Sequence, residues 1–191
     1  MSTSLLAESS AGLASVEGRL GGEVYFVLVV DGDQVGGHVD DLAVDGDVAA
    51  LDERPGVVVI FLGVNDVWHG EKGTTPGGYE QGLKEMLEIA KQAEAKVVLC
   101  TPTIIGEELE GNELNKKLGD YAEIVRRLGR ERKATLCDLH AAFLAELDRV
   151  NEKNEHQGNL TYDGVHMNDA GNQLIAEKLA EAICRACGGG S

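Results

Sequence analysis

Asp163 and His166 are the residues in this sequence whose types and spacing best suit acid–base chemistry. An aspartate three residues before a histidine can accept the proton of one imidazole nitrogen and leave the other nitrogen as a general base. The pair also suits a plainer role, because an aspartate often caps a following helix while a nearby histidine is simply solvated. The spacing therefore predicts a catalytic base at His166, oriented by Asp163, if other catalytic groups accompany it.

Residues 63–66, with the sequence Gly-Val-Asn-Asp, supply a second group of this kind. An asparagine that directly follows a buried strand can direct its amide into a site and stabilise an oxyanion. The glycine before Asn65 lets another backbone approach closely. A further N–H donor is predicted at Gly37 or its neighbour Gly36, although paired glycines also suit a flexible turn.

The elements that must position these residues are short apolar runs alternating with segments of helical periodicity. Four runs are rich in β-branched residues and lack polar alternation, which predicts strands buried on both faces of a parallel sheet; they are residues 24–30, 57–62, 96–101 and 134–137. The alternation predicts one three-layer α/β/α domain over residues 1–187, with a flexible tail at 188–191. Ligands of such sheets bind at the carboxyl ends of the strands. Trp68 and His69 follow one of these ends and are predicted to line a substrate pocket, with packing under a loop as the alternative for Trp68.

Composition limits the partners of this domain. The 191 residues carry 17 Lys and Arg against 33 Asp and Glu, a net charge of −16. This charge repels phosphate backbones and anionic lipids, so nucleic acid and membrane surfaces are not expected partners. No apolar run reaches the ~20 residues of a membrane span, and the first twenty residues lack the features of a signal peptide. The four cysteines provide neither a disulfide framework nor a complete metal ligand set, so no metal or cofactor is expected.

Together these blocks resemble the SGNH (GDSL-type) family of serine esterases and acyl hydrolases. The family has a Gly-x-Asn-Asp block after a central strand, an Asp-x-x-His block before the last helix, and a glycine about thirty residues before the asparagine. The matching residues are Gly63, Asn65 and Asp66, then Asp163 and His166, then Gly36 or Gly37. The resemblance covers roughly residues 13–183 and implies a flavodoxin-like α/β/α sandwich.

The resemblance also implies roles for individual residues. His166 would be the general base and Asp163 its partner, while Asn65 and Gly37 would donate to the oxyanion. The implied reaction is hydrolysis of a small or carbohydrate-linked ester through an acyl-serine, without metal. Family members act on acetylated sugars, short-chain lipids, thioesters and lysophospholipids, so the acyl group and the leaving group stay open.

The family's first block, Gly-Asp-Ser with its nucleophilic serine, is absent, and two placements compete. In one, Ser4 is the nucleophile and residues 5–20 form the following helix, so the strand before Ser4 is missing and the chain begins late. In the other, residues 24–30 are the first strand, Gln34 stands in the serine's place, and residues 40–53 form the crossover helix. Spacing favours Ser4, whereas completeness of the sheet favours Gln34. The alternatives to an esterase are therefore an inactive relative that binds a ligand in the same cleft and an incomplete chain.

Overall fold

The computed structural model describes the backbone of residues 13–20 and 23–30, and both backbone and side chains of residues 56–188. In these residues five strands form one sheet in the order of the chain: β1 (Leu13–Leu20), β2 (Glu23–Val30), β3 (Val57–Phe61), β4 (Lys96–Cys100) and β5 (Thr135–Cys137). Strand β1 is antiparallel to β2, and β2 to β5 are parallel. The ends of β3, β4 and β5 are in register, because Phe61 is opposite Cys100 and Cys100 is opposite Cys137. Side chains that follow these strands therefore share one edge of the sheet.

The helices of the described part are α1 (Val64–Trp68), α2 (Pro76–Gln92), α3 (Glu113–Arg132), α4 (Leu139–Val150) and α5 (Asp169–Gly188), with a 3₁₀ turn at Gly70–Lys72. Helices α2 and α3 pack on the side of the sheet that presents Val58, Ile60 and Leu99. Helix α5 covers the side that presents Val57, Val59 and Val98. Successive residues of a strand point to opposite faces, so β3 is apolar throughout because both of its faces are covered.

The predicted α/β/α sandwich is confirmed, and the four apolar runs coincide with β2, β3, β4 and β5 to within one residue at each end. The helix predicted over residues 5–20 is wrong where it can be compared, since Leu13–Leu20 is a strand. It pairs with β2 from Leu13 opposite Val30 to Leu20 opposite Glu23. The two residues between these strands in the sequence are both glycine, a composition typical of tight hairpin connections. The sheet thus has an antiparallel edge strand instead of being parallel throughout.

Asp138 ties the ends of two strands to two helices. Its carboxylate accepts two bonds from Arg126 of α3, Nε to Oδ2 at 2.7 Å and Nη2 to Oδ1 at 2.8 Å. It also accepts the Ala141 N–H of the first turn of α4 and the hydroxyl of Thr101, both at 3.2 Å. Burial raises the pKa of Asp138, but the bonds from Arg126 and the cap outweigh it and hold that pKa below its usual value.

Within the described residues, no helix is long and apolar enough to cross a membrane.

Candidate active site

Asp163 and His166 form a hydrogen-bonded pair in the loop between α4 and α5. Asp163 Oδ2 lies 2.7 Å from His166 Nδ1. Asp163 Oδ1 accepts the backbone N–H groups of Val165 at 3.0 Å and His166 at 2.8 Å. The contact with the imidazole, followed by these two backbone bonds, holds the pKa of Asp163 well below its usual value. The aspartate is therefore ionised at neutral pH and contacts the imidazole through Nδ1, which is the arrangement expected of a histidine that transfers protons through Nε2.

Gly63 is the residue that brings Asn65 to the end of β3. Its φ of +119° lies in the region that favours glycine. A Cβ at this position would lie 2.9 Å from the Tyr79 hydroxyl and 3.3 Å from Cβ of Pro102. That hydroxyl donates to the carbonyl of Leu62 at 3.1 Å, so it cannot move away without losing the bond. The chain therefore turns from β3 into α1 at a glycine and places Asn65 at the carboxyl edge of the sheet.

A cleft of about 350 Å³ joins the two blocks at this edge. Its walls come from the turn between β3 and α1, including Asn65, and from the segment 165–167, including His166. Thr103, which follows β4, and Asn172 and Ile175 of α5 complete it. The structure thus brings Asn65 and His166, which are distant in sequence, to one cavity. Thr103 had no signal in the sequence beyond its place after a buried strand.

Asp66, the last residue of the Gly-x-Asn-Asp block, contacts its own loop. Its Oδ1 accepts the N–H of Thr74 at 3.1 Å, and the carbonyl of Thr74 accepts the hydroxyl of Tyr121 at 2.6 Å. The backbone of Gly73 passes so close to that of Asp66 that a Cβ there would collide with it. Asp66 therefore closes the loop after α1, and its contacts indicate a structural contribution to the block.

Trp68 lies against the candidate base. Its ring meets the ring of His166 edge-on, with centroids 5.9 Å apart and planes at 86°. The ring of Trp68 also contacts the ring of His69, with centroids 5.3 Å apart. Trp68 keeps 39% of its surface exposed, so it can contact a ligand beside the imidazole as well as support the ring. Its place in a substrate pocket, and that of His69, stay predictions.

The remaining predicted residues cannot be placed in the same way. Ser4, Gln34, Gly36 and Gly37 lie outside the described residues, as does the crossover helix predicted over residues 40–53. Among the residues that are described, no group of three or more His, Cys, Asp or Glu side chains is arranged to hold a metal ion. The described site thus contains the candidate base His166, its partner Asp163 and one candidate oxyanion donor, Asn65.

Comparison with known proteins gives one consistent result. Residues 7–174 match the GDSL-like Lipase/Acylhydrolase family. The crystal structure of an acetyl xylan esterase, AlAXEase, is 36% identical, with a TM-score of 0.72 over 78% of this chain and 77% of that one. Acetylxylan esterase of Geobacillus stearothermophilus is 27% identical over 82% of this chain and 72% of its own length. Acetylxylan esterase of Xylanibacter ruminicola is 29% identical over 70% of this chain, which spans 30% of that longer protein.

Proposed function

The chain belongs to the GDSL-like lipase/acylhydrolase family, and we propose that it removes acetyl groups from carbohydrates through an acyl-serine. The observation that carries the proposal is that His166, held by Asp163 at 2.7 Å, lines the same cleft as Asn65. The similar acetylxylan esterases support the acetyl group and the carbohydrate as the two parts of the ester.

The reaction follows from the roles of these groups. The serine hydroxyl attacks the acetyl carbonyl while His166 Nε2 takes its proton, and Asp163 stabilises the imidazolium through Nδ1. The Asn65 amide and the Gly37 N–H donate to the oxygen that becomes negative. The sugar oxygen then leaves with the proton from His166. Water, activated by the same histidine, attacks the acetyl-serine and releases acetate and the free serine.

Trp68 and His69 are proposed as the wall that receives the sugar. An indole ring offers a large apolar face with little conformational freedom to lose, which suits contact with a pyranose ring. The net charge of −16 disfavours anionic ligands, whereas an acetylated neutral sugar carries no charge. A ligand resting on Trp68 would also lie beside the imidazole, because the two rings are in contact.

Ser4 is the proposed nucleophile, and ligand binding without turnover is the second candidate function. One observation favours the second: β2 runs parallel to β3 and continues in sequence into Gly32-Asp33-Gln34. This is the order of strand and block in which Gln34 replaces the serine. An amide cannot attack a carbonyl as an activated hydroxyl does, so a chain with Gln34 in this place would bind esters without cleaving them.

Labelling with a fluorophosphonate, with the adduct mapped by peptide mass spectrometry, distinguishes the two functions. Acetate release from acetylated xylo-oligosaccharides is measured on the same samples. We expect an adduct on Ser4 that disappears in Ser4→Ala and in His166→Ala and persists in the matched control Ser2→Ala. An adduct on a different serine would move the nucleophile. A folded protein with neither adduct nor acetate release would refute the esterase, and calorimetric titration with the same oligosaccharides would then test binding.

A further inference from the structure

Glu107, in the loop between β4 and α3, is a fully buried carboxylate surrounded by hydrogen-bond donors. Its Oε1 accepts the N–H of Leu160 at 2.8 Å, the N–H of Thr161 at 2.6 Å and the Thr161 hydroxyl at 2.7 Å. Its Oε2 accepts the N–H and the side-chain amide of Asn159, both at 2.8 Å. Burial raises the pKa of Glu107, but the bonds from residues 159–161 outweigh it and leave that pKa below its usual value. Glu107 is therefore ionised, and its acceptor sites face three consecutive residues of one loop.

The loop that carries Glu107 is itself fixed to two helices. Asn115 of α3 accepts the N–H of Ile105 at 2.8 Å and donates its amide to the carbonyl of Gly106 at 2.9 Å. Asn151, at the end of α4, donates its amide to the carbonyl of Glu107 at 2.9 Å. Because these contacts hold the backbone on both sides of the carboxylate, Glu107 is a rigid anchor for residues 159–161.

Thr161 passes this anchorage on to the segment that holds the candidate base. An ionised carboxylate only accepts hydrogen bonds, so the Thr161 hydroxyl must give its proton to Glu107 and can accept with its lone pairs. It accepts the N–H of Gly164 at 3.0 Å. The carbonyl of Gly164 accepts the N–H of Gly106 at 2.6 Å, and the N–H of Tyr162 donates to the carbonyl of His166 at 2.8 Å. The loop of Glu107 thus holds this turn at Thr161 and at Gly164, and the bond from Tyr162 to His166 joins the two ends of the turn.

We propose that Glu107 is a positioning residue, which holds Asp163 and His166 at the geometry that the reaction needs. The inference rests on the proposed function. Glu107 does not line the cleft, so it acts through Thr161 and the backbone of the turn and not through the substrate. A carboxylate suits this place because it can accept all five bonds, whereas a glutamine would direct its own N–H groups at one set of donors.

The test compares Thr161→Val with Thr161→Ser and Glu107→Gln. Valine matches the shape of threonine but lacks the hydroxyl that joins Glu107 to Gly164, while serine keeps it. We expect kcat to fall about ten- to hundredfold in Thr161→Val and Glu107→Gln, because small displacements of a catalytic group have effects of this size. KM should change less than twofold, and Thr161→Ser should keep wild-type kcat. The matched control is Val125→Ala, which opens space in the core between α3 and the sheet at a residue that does not line the cleft.

Proton NMR of His166 gives a readout that does not depend on turnover. The Nδ1–H of an imidazole bonded to a carboxylate resonates far downfield. We expect this signal in the wild type, Thr161→Ser and Val125→Ala, and its broadening or loss in Thr161→Val at temperatures where the protein remains folded. A wild-type kcat and an unchanged signal in Thr161→Val would overturn the inference. Absence of hydrolysis by the wild type would refute the proposed function alone, because the NMR comparison would still decide whether Glu107 positions the pair.

Discussion

Replacement of Asp163 by asparagine should stop catalysis by changing the position of one proton. Asp163 Oδ1 accepts two backbone N–H groups, and Oδ2 faces Nδ1 of His166. An asparagine can keep both backbone bonds only with its carbonyl oxygen in the place of Oδ1. Its NH₂ group then faces Nδ1, which must become an acceptor, so the neutral ring carries its proton on Nε2. That is the nitrogen that has to take the proton from the serine.

The free-energy preference for this orientation of the asparagine amide follows from the two backbone hydrogen bonds that its oxygen accepts. Turning the amide over would place its NH₂ against two N–H donors and lose two hydrogen bonds of about 1 kcal/mol each. A difference of about 2 kcal/mol corresponds to a roughly thirtyfold preference for the inactive tautomer. In buried triads the wrong tautomer lowers kcat by roughly 10⁴. Asp163 and His166 are each about half exposed, so water can compete for Nδ1, and we expect a fall in kcat between roughly thirtyfold, from the tautomer preference alone, and the roughly 10⁴ of a buried triad.

The assay measures kcat for acetate release together with the ¹⁵N chemical shifts of His166, which report the tautomer. Asp169→Asn is the matched control, because it removes the same charge from the exposed first turn of α5 and leaves the pair intact. Urea unfolding of Asp163→Asn should differ from the wild type by less than about 1 kcal/mol, since half-exposed ion pairs contribute little. A variant that keeps its fold and retains kcat within threefold would refute the orienting role of Asp163.

Three further predictions concern the elements around the pair. Gly63→Ala should lower the free energy of unfolding by about 2–3 kcal/mol and reduce kcat, because φ is +119° and the new Cβ meets the Tyr79 hydroxyl. Its control is Gly77→Ala, whose new Cβ meets no atom within 4 Å and which should change neither the free energy of unfolding nor kcat. The pKa of Glu107 is lowered by folding, so its stabilisation is present above the unfolded pKa of about 4.3 and is lost as pH falls through the folded pKa. Stability measured by acid titration should therefore fall less steeply below about pH 4 in Glu107→Gln than in the wild type. Asp138→Ala should cost about 2 kcal/mol in urea unfolding, because it removes the cap of α4 and leaves Arg126 with Glu123 as its remaining carboxylate partner.

The parts of the site that were predictable from sequence are those whose signal is local. Asp163 and His166 are only three residues apart, so their spacing alone predicted that the carboxylate lies next to the imidazole ring. Asn65 was predictable because β3 is buried on both faces and ends at Phe61, four residues before it. The strand β1 was missed because the helix over residues 5–20 was inferred from placing Ser4 in the family's first block, while the two glycines that separate β1 from β2 were not used.

The anchorage by Glu107 could not be read from the sequence, because 54 residues separate it from Thr161. Five hydrogen-bond donors stabilise the ionised form of this buried carboxylate, and the sequence does not show that all five lie next to it. The same holds for Asp66, which the sequence matched to the family's block and whose carboxylate accepts the N–H of Thr74 in the structure. Local patterns identify the groups that react, whereas the groups that hold them are identified only by the fold.

Exposure of the Asp163–His166 pair explains why its loop needs an anchor. In a buried triad, packing and a low dielectric restrict the imidazole and strengthen its bond to the carboxylate. Here both side chains are about half exposed, so water competes for the same atoms and the pair alone fixes its geometry weakly. The backbone must then supply the rigidity, and the ionised Glu107 beneath residues 159–161 provides it from a fully buried position. The two requirements are thus compatible. The exposed side chains leave access for a bulky sugar ester, and the anchored loop below them holds the base in position.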